Sequence, residues 1–128
     1  MLHKILGEVI DHSELLNGEI QMILEGEFIW NEKKYRITNS LEWQIGNDVV
    51  VPILHSELLI ENSSITSQTI VGNYSTGNHS VDEETGELLF DLSYNIDAAS
   101  SDEKIDCEIT VQGNEWIGLL NINENQLV

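Results

Sequence analysis

The stretch from Glu19 to Ile45 constrains this chain more than any other. Read in twos, Ile20, Met22, Leu24, Gly26, Phe28 and Trp30 fall on one side, and Glu19, Gln21, Ile23, Glu25, Glu27 and Ile29 on the other. That is the period of a β-strand with one face buried and the other mostly in water. After the polar break Asn31-Glu32-Lys33-Lys34 the alternation restarts, with Tyr35, Ile37, Leu41, Trp43 and Ile45 inward. Folding back at Glu32-Lys33 sets Trp30 opposite Tyr35, Phe28 opposite Ile37, Leu24 opposite Leu41, Met22 opposite Trp43 and Ile20 opposite Ile45. A slip of one residue would turn the whole set outward.

The remaining segments follow the same period. Leu2, Leu6 and Ile10 share one face and Ile5 and Val9 the other, which predicts a strand over residues 2–10 buried on parts of both faces. Asp11 to Gly18 reads as a plain loop or as one helical turn, capped by Asp11 or Ser13, with Leu15 and Leu16 inward and Asn17-Gly18 ending it. Gly46-Asn47-Asp48 predicts a turn. Val49 to Ile60 predicts a strand in which Pro52 marks an edge, a bulge or an end; a helix over His55–Ile60 is the alternative. Residues 61–68 read as loop. Thr69, Ile70, Val71 and Tyr74 form a further strand, with Gly77-Asn78 a turn or bulge. Val81 to Glu87 makes an acidic hairpin tip with Gly86 in a left-handed position. Leu88, Phe90, Leu92, Tyr94 and Ile96 then point inward, and residues 97–102 read as a flexible loop. Ile105, Cys107, Ile109 and Val111 return through a Gly113-Asn114 turn to Trp116, Gly118, Leu120 and Ile122. That register sets Val111 opposite Trp116 and Cys107 opposite Leu120. The tail from Asn123 is expected to fray. The sum is an all-β single domain over residues 1–128. It is an antiparallel meander of eight to nine strands, closed as a sandwich or a closed or half-closed barrel, with at most one short helical turn.

Charge narrows the function. The 128 residues carry 23 acids against five Lys and Arg, a formal net charge of −18. Such a surface disfavours nucleic acid and anionic membrane as partners and attracts basic proteins. A single cysteine excludes an internal disulfide and fits a reducing compartment. With no signal-peptide pattern after Met1 and no apolar run of membrane-spanning length, the expectation is a cytoplasmic protein. Cys107, between Ile105 and Ile109 on an inward face, reads as a structural cysteine. His3, His12, His55 and His79 are scattered, lack metal-ligand spacing and are expected at the surface or in turns. The acids at the tip lack the ligand alternation of a calcium loop. No phosphate loop, nucleophile elbow or metalloprotease helix is present, so neither an enzyme nor a cofactor is expected.

The sequence therefore points to a non-enzymatic acidic binding protein, an inhibitor or immunity-type protein that neutralises a basic partner such as a toxin or a nucleic-acid-binding enzyme. Asp82, Glu83, Glu84, Glu87, Asp91, Asp106 and Glu108 would steer the partner, with Ile117 and Leu119 as apolar anchors. Ile23, Ile29 and Leu89 are also apolar at outward positions, where an interface or a second sheet would cover them. Lys33, Lys34 and Arg36 cluster in the first hairpin, where they blunt its tip or pair with acids across the strand. Two alternatives remain: a small-molecule-binding meander barrel with Trp30, Trp43, Tyr94 and Trp116 around a cavity, or a subunit of a larger phage or secretion assembly.

Overall fold

A computed structural model describes residues 2–14, 18–44, 50–64, 69–96 and 104–127. Eight antiparallel strands follow in chain order: β1 (Leu2–Glu14), β2 (Glu19–Trp30), β3 (Lys33–Gln44), β4 (Val50–Asn62), β5 (Thr69–Val81), β6 (Leu88–Ile96), β7 (Lys104–Gln112) and β8 (Glu115–Asn121). Each pairs with its neighbours in sequence, and β1 closes the sheet by pairing with β8 from Leu2↔Asn121 to Glu8↔Glu115. The result is an up-and-down barrel, not a sandwich. Closure leaves no free edge strand, the device by which a β protein avoids edge-to-edge pairing.

The alternation that predicts the strands also sorts the two sides of the wall. Met22, Leu24, Ile37, Leu41, Leu58, Leu92, Ile105, Ile109 and Leu120 are buried in one core. Among the described residues no second layer covers the outer face: Ile29 is 72% exposed, Ile117 46% and Leu89 38%. Ile23 and Leu119 are half-buried.

The first hairpin keeps its predicted faces but not its predicted pairs. Asn31 and Glu32 both take left-handed backbone angles (φ 51° and 62°). They form the two-residue turn whose twist matches that of the flanking strands. Trp30 therefore pairs with Lys33, Phe28 with Tyr35, Gly26 with Ile37, Leu24 with Asn39, Met22 with Leu41 and Ile20 with Trp43. The whole ladder is displaced by two residues from the expected one, a shift that leaves side-chain direction unchanged. The last hairpin has its expected register, with Val111 opposite Trp116 and Cys107 opposite Leu120 across Gly113 (φ 62°).

Three further expectations change. β1 runs on through Asp11–Glu14, with a bulge between Val9 and Asp11, so these residues form neither a loop nor a helical turn. β4 is the expected strand with its expected bulge beside Pro52, between Ile53 and His55, but it runs on to Asn62, and Asn78 opposite Pro52 lies within β5 and not in a turn. The tail is docked: Glu124–Gln126 form a 3-10 turn, Leu127 is buried, and the Tyr35 hydroxyl donates to the Leu127 carbonyl. The Leu15-Leu16 turn, the Gly46-Asn47-Asp48 turn and the 97–102 loop lie outside the described residues.

A single indole fits into a notch in the wall. Trp116 lies against Gly7, Gly26 and Gly118, and its Nε1 donates to the Glu25 carbonyl at 3.0 Å. A Cβ on Gly7 would stand 2.2 Å from that carbonyl oxygen and 2.4 Å from Nε1. A Cβ on Gly26 or Gly118 would stand 2.9 Å or 2.6 Å from the ring. Three strands thus give up side chains to admit one large one, and the register pairs Gly7 with both Gly26 and Trp116.

Candidate functional site

The nine predicted partner-binding residues fall into two groups. Asp82, Glu83, Glu84 and Glu87 occupy the β5–β6 turn. There the Asp82 carboxylate accepts from the Glu84 and Thr85 amides (3.0 and 3.4 Å), and Gly86 (φ 76°) closes the turn by donating to the Asp82 carbonyl. Asp82 thus shapes its own loop, as an Asx turn does, while Glu83 and Glu84 are exposed. Among the described residues no three His, Cys, Asp or Glu side chains are grouped to hold a metal ion.

The other five come together on the outer face of β6, β7, β8 and β1. Asp91 stands directly opposite Glu108, which stands opposite Leu119, which stands opposite Lys4. In the adjacent row Leu89, Thr110, Ile117 and Leu6 follow one another across the same strands. On the other side Asp106 lies opposite Asn121, and Asn121 opposite Leu2. Leu2 and Leu6 are 62% and 64% exposed. An open depression of about 350 Å³ is lined by Leu2, Asp91, Asp106, Glu108, Leu119 and Asn121. A second, of about 200 Å³, shares Asp91 and Glu108 and extends to Leu89 and Thr110. Like charges directly opposite on a sheet repel each other.

Two of the three basic residues of the first hairpin, Lys34 and Arg36, are engaged elsewhere. Lys34 pairs with Glu27 at 3.0 Å and Arg36 with Glu61 at 2.6 Å, as expected for cross-strand pairing with acids. The hydrogen bond to Glu61, followed by its charge, raises the Arg36 pKa further.

The interior is more polar than the sequence suggests. Asn39, Ser56, Asn62 and His79 are all buried. The Tyr94 hydroxyl donates to Asn39 Oδ1 at 3.0 Å and accepts from Ser56 Oγ at 2.7 Å, joining β3, β4 and β6 across the barrel. Burial pushes the Tyr94 phenol well up, Cys107 adds to the shift, and the Ser56 bond opposes it. Burial likewise pushes the Cys107 thiol up to about 12, with Glu108 adding a smaller effect, which fits a structural cysteine. Asn39 Nδ2 is left without a hydrogen-bond partner.

His79 contradicts the expectation of a surface or turn histidine, as does His3, which is 8% exposed and lies against Phe28. His79 is 5% exposed and stands between Trp43 and Phe90, with ring centroids 5.1 and 5.0 Å away. Neither of its ring nitrogens has a hydrogen-bond partner. Burial lowers its pKa from the ordinary histidine value, which favours the neutral ring. A buried polar group left unpaired costs about 1–3 kcal/mol. The sequence carries one signal for this interior: period two from Ile37 to Leu41 puts Asn39 on the inward face. His79 carries no such signal, because Gly77-Asn78 beside it imitates a turn. Comparison with protein-family models, curated proteins and solved structures finds no match to this chain.

Proposed function

We propose that this chain is a non-enzymatic binding protein, of inhibitor or immunity type, that captures a basic protein through the outer face of β6, β7, β8 and β1. One observation carries the reading: Asp91 and Glu108 stand directly opposite each other beside exposed Leu2, Leu6 and Ile117, with Asp106 on the next row. Two carboxylates held together on an apolar surface repel each other until a cation bridges them, and the apolar side chains supply the area that a charged rim encloses. Arginine or lysine beside an apolar patch is the complementary chemistry, as on the phosphate-binding surface of a nucleic-acid enzyme or a toxin. A second copy of this chain, also at −18, would bring acids against acids. Each of the eight described strands has a neighbour on both sides, so the proposed recognition is by side chains and not by strand addition.

The test is affinity capture from source cells at low salt, followed by binding measurements with the purified captured protein. The expected partner is basic, and its affinity falls steeply as salt rises. Glu108→Lys and Ile117→Asp each weaken it about ten-fold or more, as residues at the centre of an interface do. Glu83→Lys, in the β5–β6 turn and outside both depressions, weakens it far less. An affinity indifferent to salt and to both wall substitutions would refute the assignment.

A further inference from the structure

We infer that the end of the barrel where His79 stands between Trp43 and Phe90 is a second binding site, for a small, uncharged, largely apolar molecule that carries one hydrogen-bonding group. The three rings form a closed set, with Trp43 and Phe90 edge-on at 5.2 Å and each about 5 Å from His79. A phenylalanine in place of His79 would keep that packing without burying two unpaired nitrogens, so packing alone does not account for a histidine here. A neutral imidazole offers one donor and one acceptor, and both are free.

Position supplies access. Trp43 is next to the last residue of β3, and His79 lies two residues from the end of β5, so both stand at the same end of the barrel. Eight-stranded barrels that hold one small molecule take it in at an end of the barrel, and this cage stands at such an end. The cage selects the class of ligand. Its walls are aromatic, with Ile53 and Ile109 also buried at the register positions next to Trp43 and Phe90. An anion would meet the field of a chain at −18, and a cation would find no carboxylate among these buried residues. Phe90 and Ile109 also border the second outer depression, whereas His79 and Trp43 do not, so a shift at the His79 ring and a salt-dependent affinity on the wall report the two sites separately.

Phenol and toluene are matched probes, alike in shape and differing by the hydroxyl. The full chain is titrated with each while the ring resonances of the four histidines are followed by NMR and tryptophan emission by fluorescence. Phenol is expected to shift His79 saturably, leaving His12 and His55 in place, and to bind about ten-fold more tightly than toluene, the discrimination one buried hydrogen bond confers. In His79→Phe, which keeps the aromatic cage, that preference disappears. Three results would each overturn the inference: His79 unmoved up to the solubility limit of phenol, as when an internal water already serves the ring; equal affinity for both probes; or a preference that survives in His79→Phe.

Discussion

At the scale of single residues, space and protonation decide most. Trp116 occupies its notch only because Gly7, Gly26 and Gly118 lack side chains. Gly7→Ala puts a methyl group 2.2 Å from a backbone oxygen, which cannot move without disturbing the β1–β2 ladder. The expected loss is about 1–3 kcal/mol, the usual cost of overpacking, read as a lower urea midpoint at unchanged slope. His79 makes a separate prediction about pH. In the unfolded chain the ring titrates near 6.5, and burial lowers that value in the folded one. The unfolded chain therefore binds the proton first as pH falls. The contribution of His79 to stability is complete above about 6.5 and is lost as pH drops through the folded-state value. Between about pH 7.5 and about pH 5 the urea midpoint of the wild type should fall relative to that of His79→Phe, a comparison that cancels the carboxylates common to both. Parallel pH profiles would show that the ring gains a proton as easily folded as unfolded.

At the scale of elements, turns set registers and registers set neighbours. The two-residue turn at Asn31-Glu32 moves every pair of the β2–β3 ladder by two positions from the hydrophobic optimum. Asn39 then stands opposite Leu24, and its amide meets the Tyr94 hydroxyl. Asparagine tolerates a left-handed angle, but glutamate at φ 62° is strained. Glu32→Gly is expected to stabilise the chain by about 1 kcal/mol, seen as a raised urea midpoint. No gain would mean that the glutamate side chain offsets the strain by a contact of its own. The sequence shows where the strands lie and which way each side chain points, because both follow from a period of two. It left the register of this hairpin open to a two-residue error, because shifts by an even number preserve every face. The last hairpin escaped that error because Gly113-Asn114 marks its turn unambiguously.

At the scale of the whole molecule, a barrel with a net charge of −18 carries self-repulsion that salt relieves. Exposed ion pairs such as Lys34–Glu27 lose little when screened. Added sodium chloride should therefore raise the urea midpoint of this protein steadily; a midpoint that falls would mean that attractive pairs outweigh the repulsion. Of the proposed outer site, the sequence supplied the residue types and their outward direction. It did not show that Asp91, Glu108 and Leu119 share one row with Lys4, since β1 and β8 meet only when the sheet closes. The inner site was hidden for a related reason: His79 and Phe90 are partners on β5 and β6, but Trp43 reaches them from β3, which is not their neighbour in the sheet. By itself the sequence determined an all-β meander, the inward and outward faces of its strands, and an acidic surface, because alternation and charge are local and additive. Only the tertiary structure decided closure over an open or sandwiched sheet, the hairpin register and the burial of His79. Each of these depends on contacts between residues far apart in the chain, and a period of two is silent about which strands become neighbours.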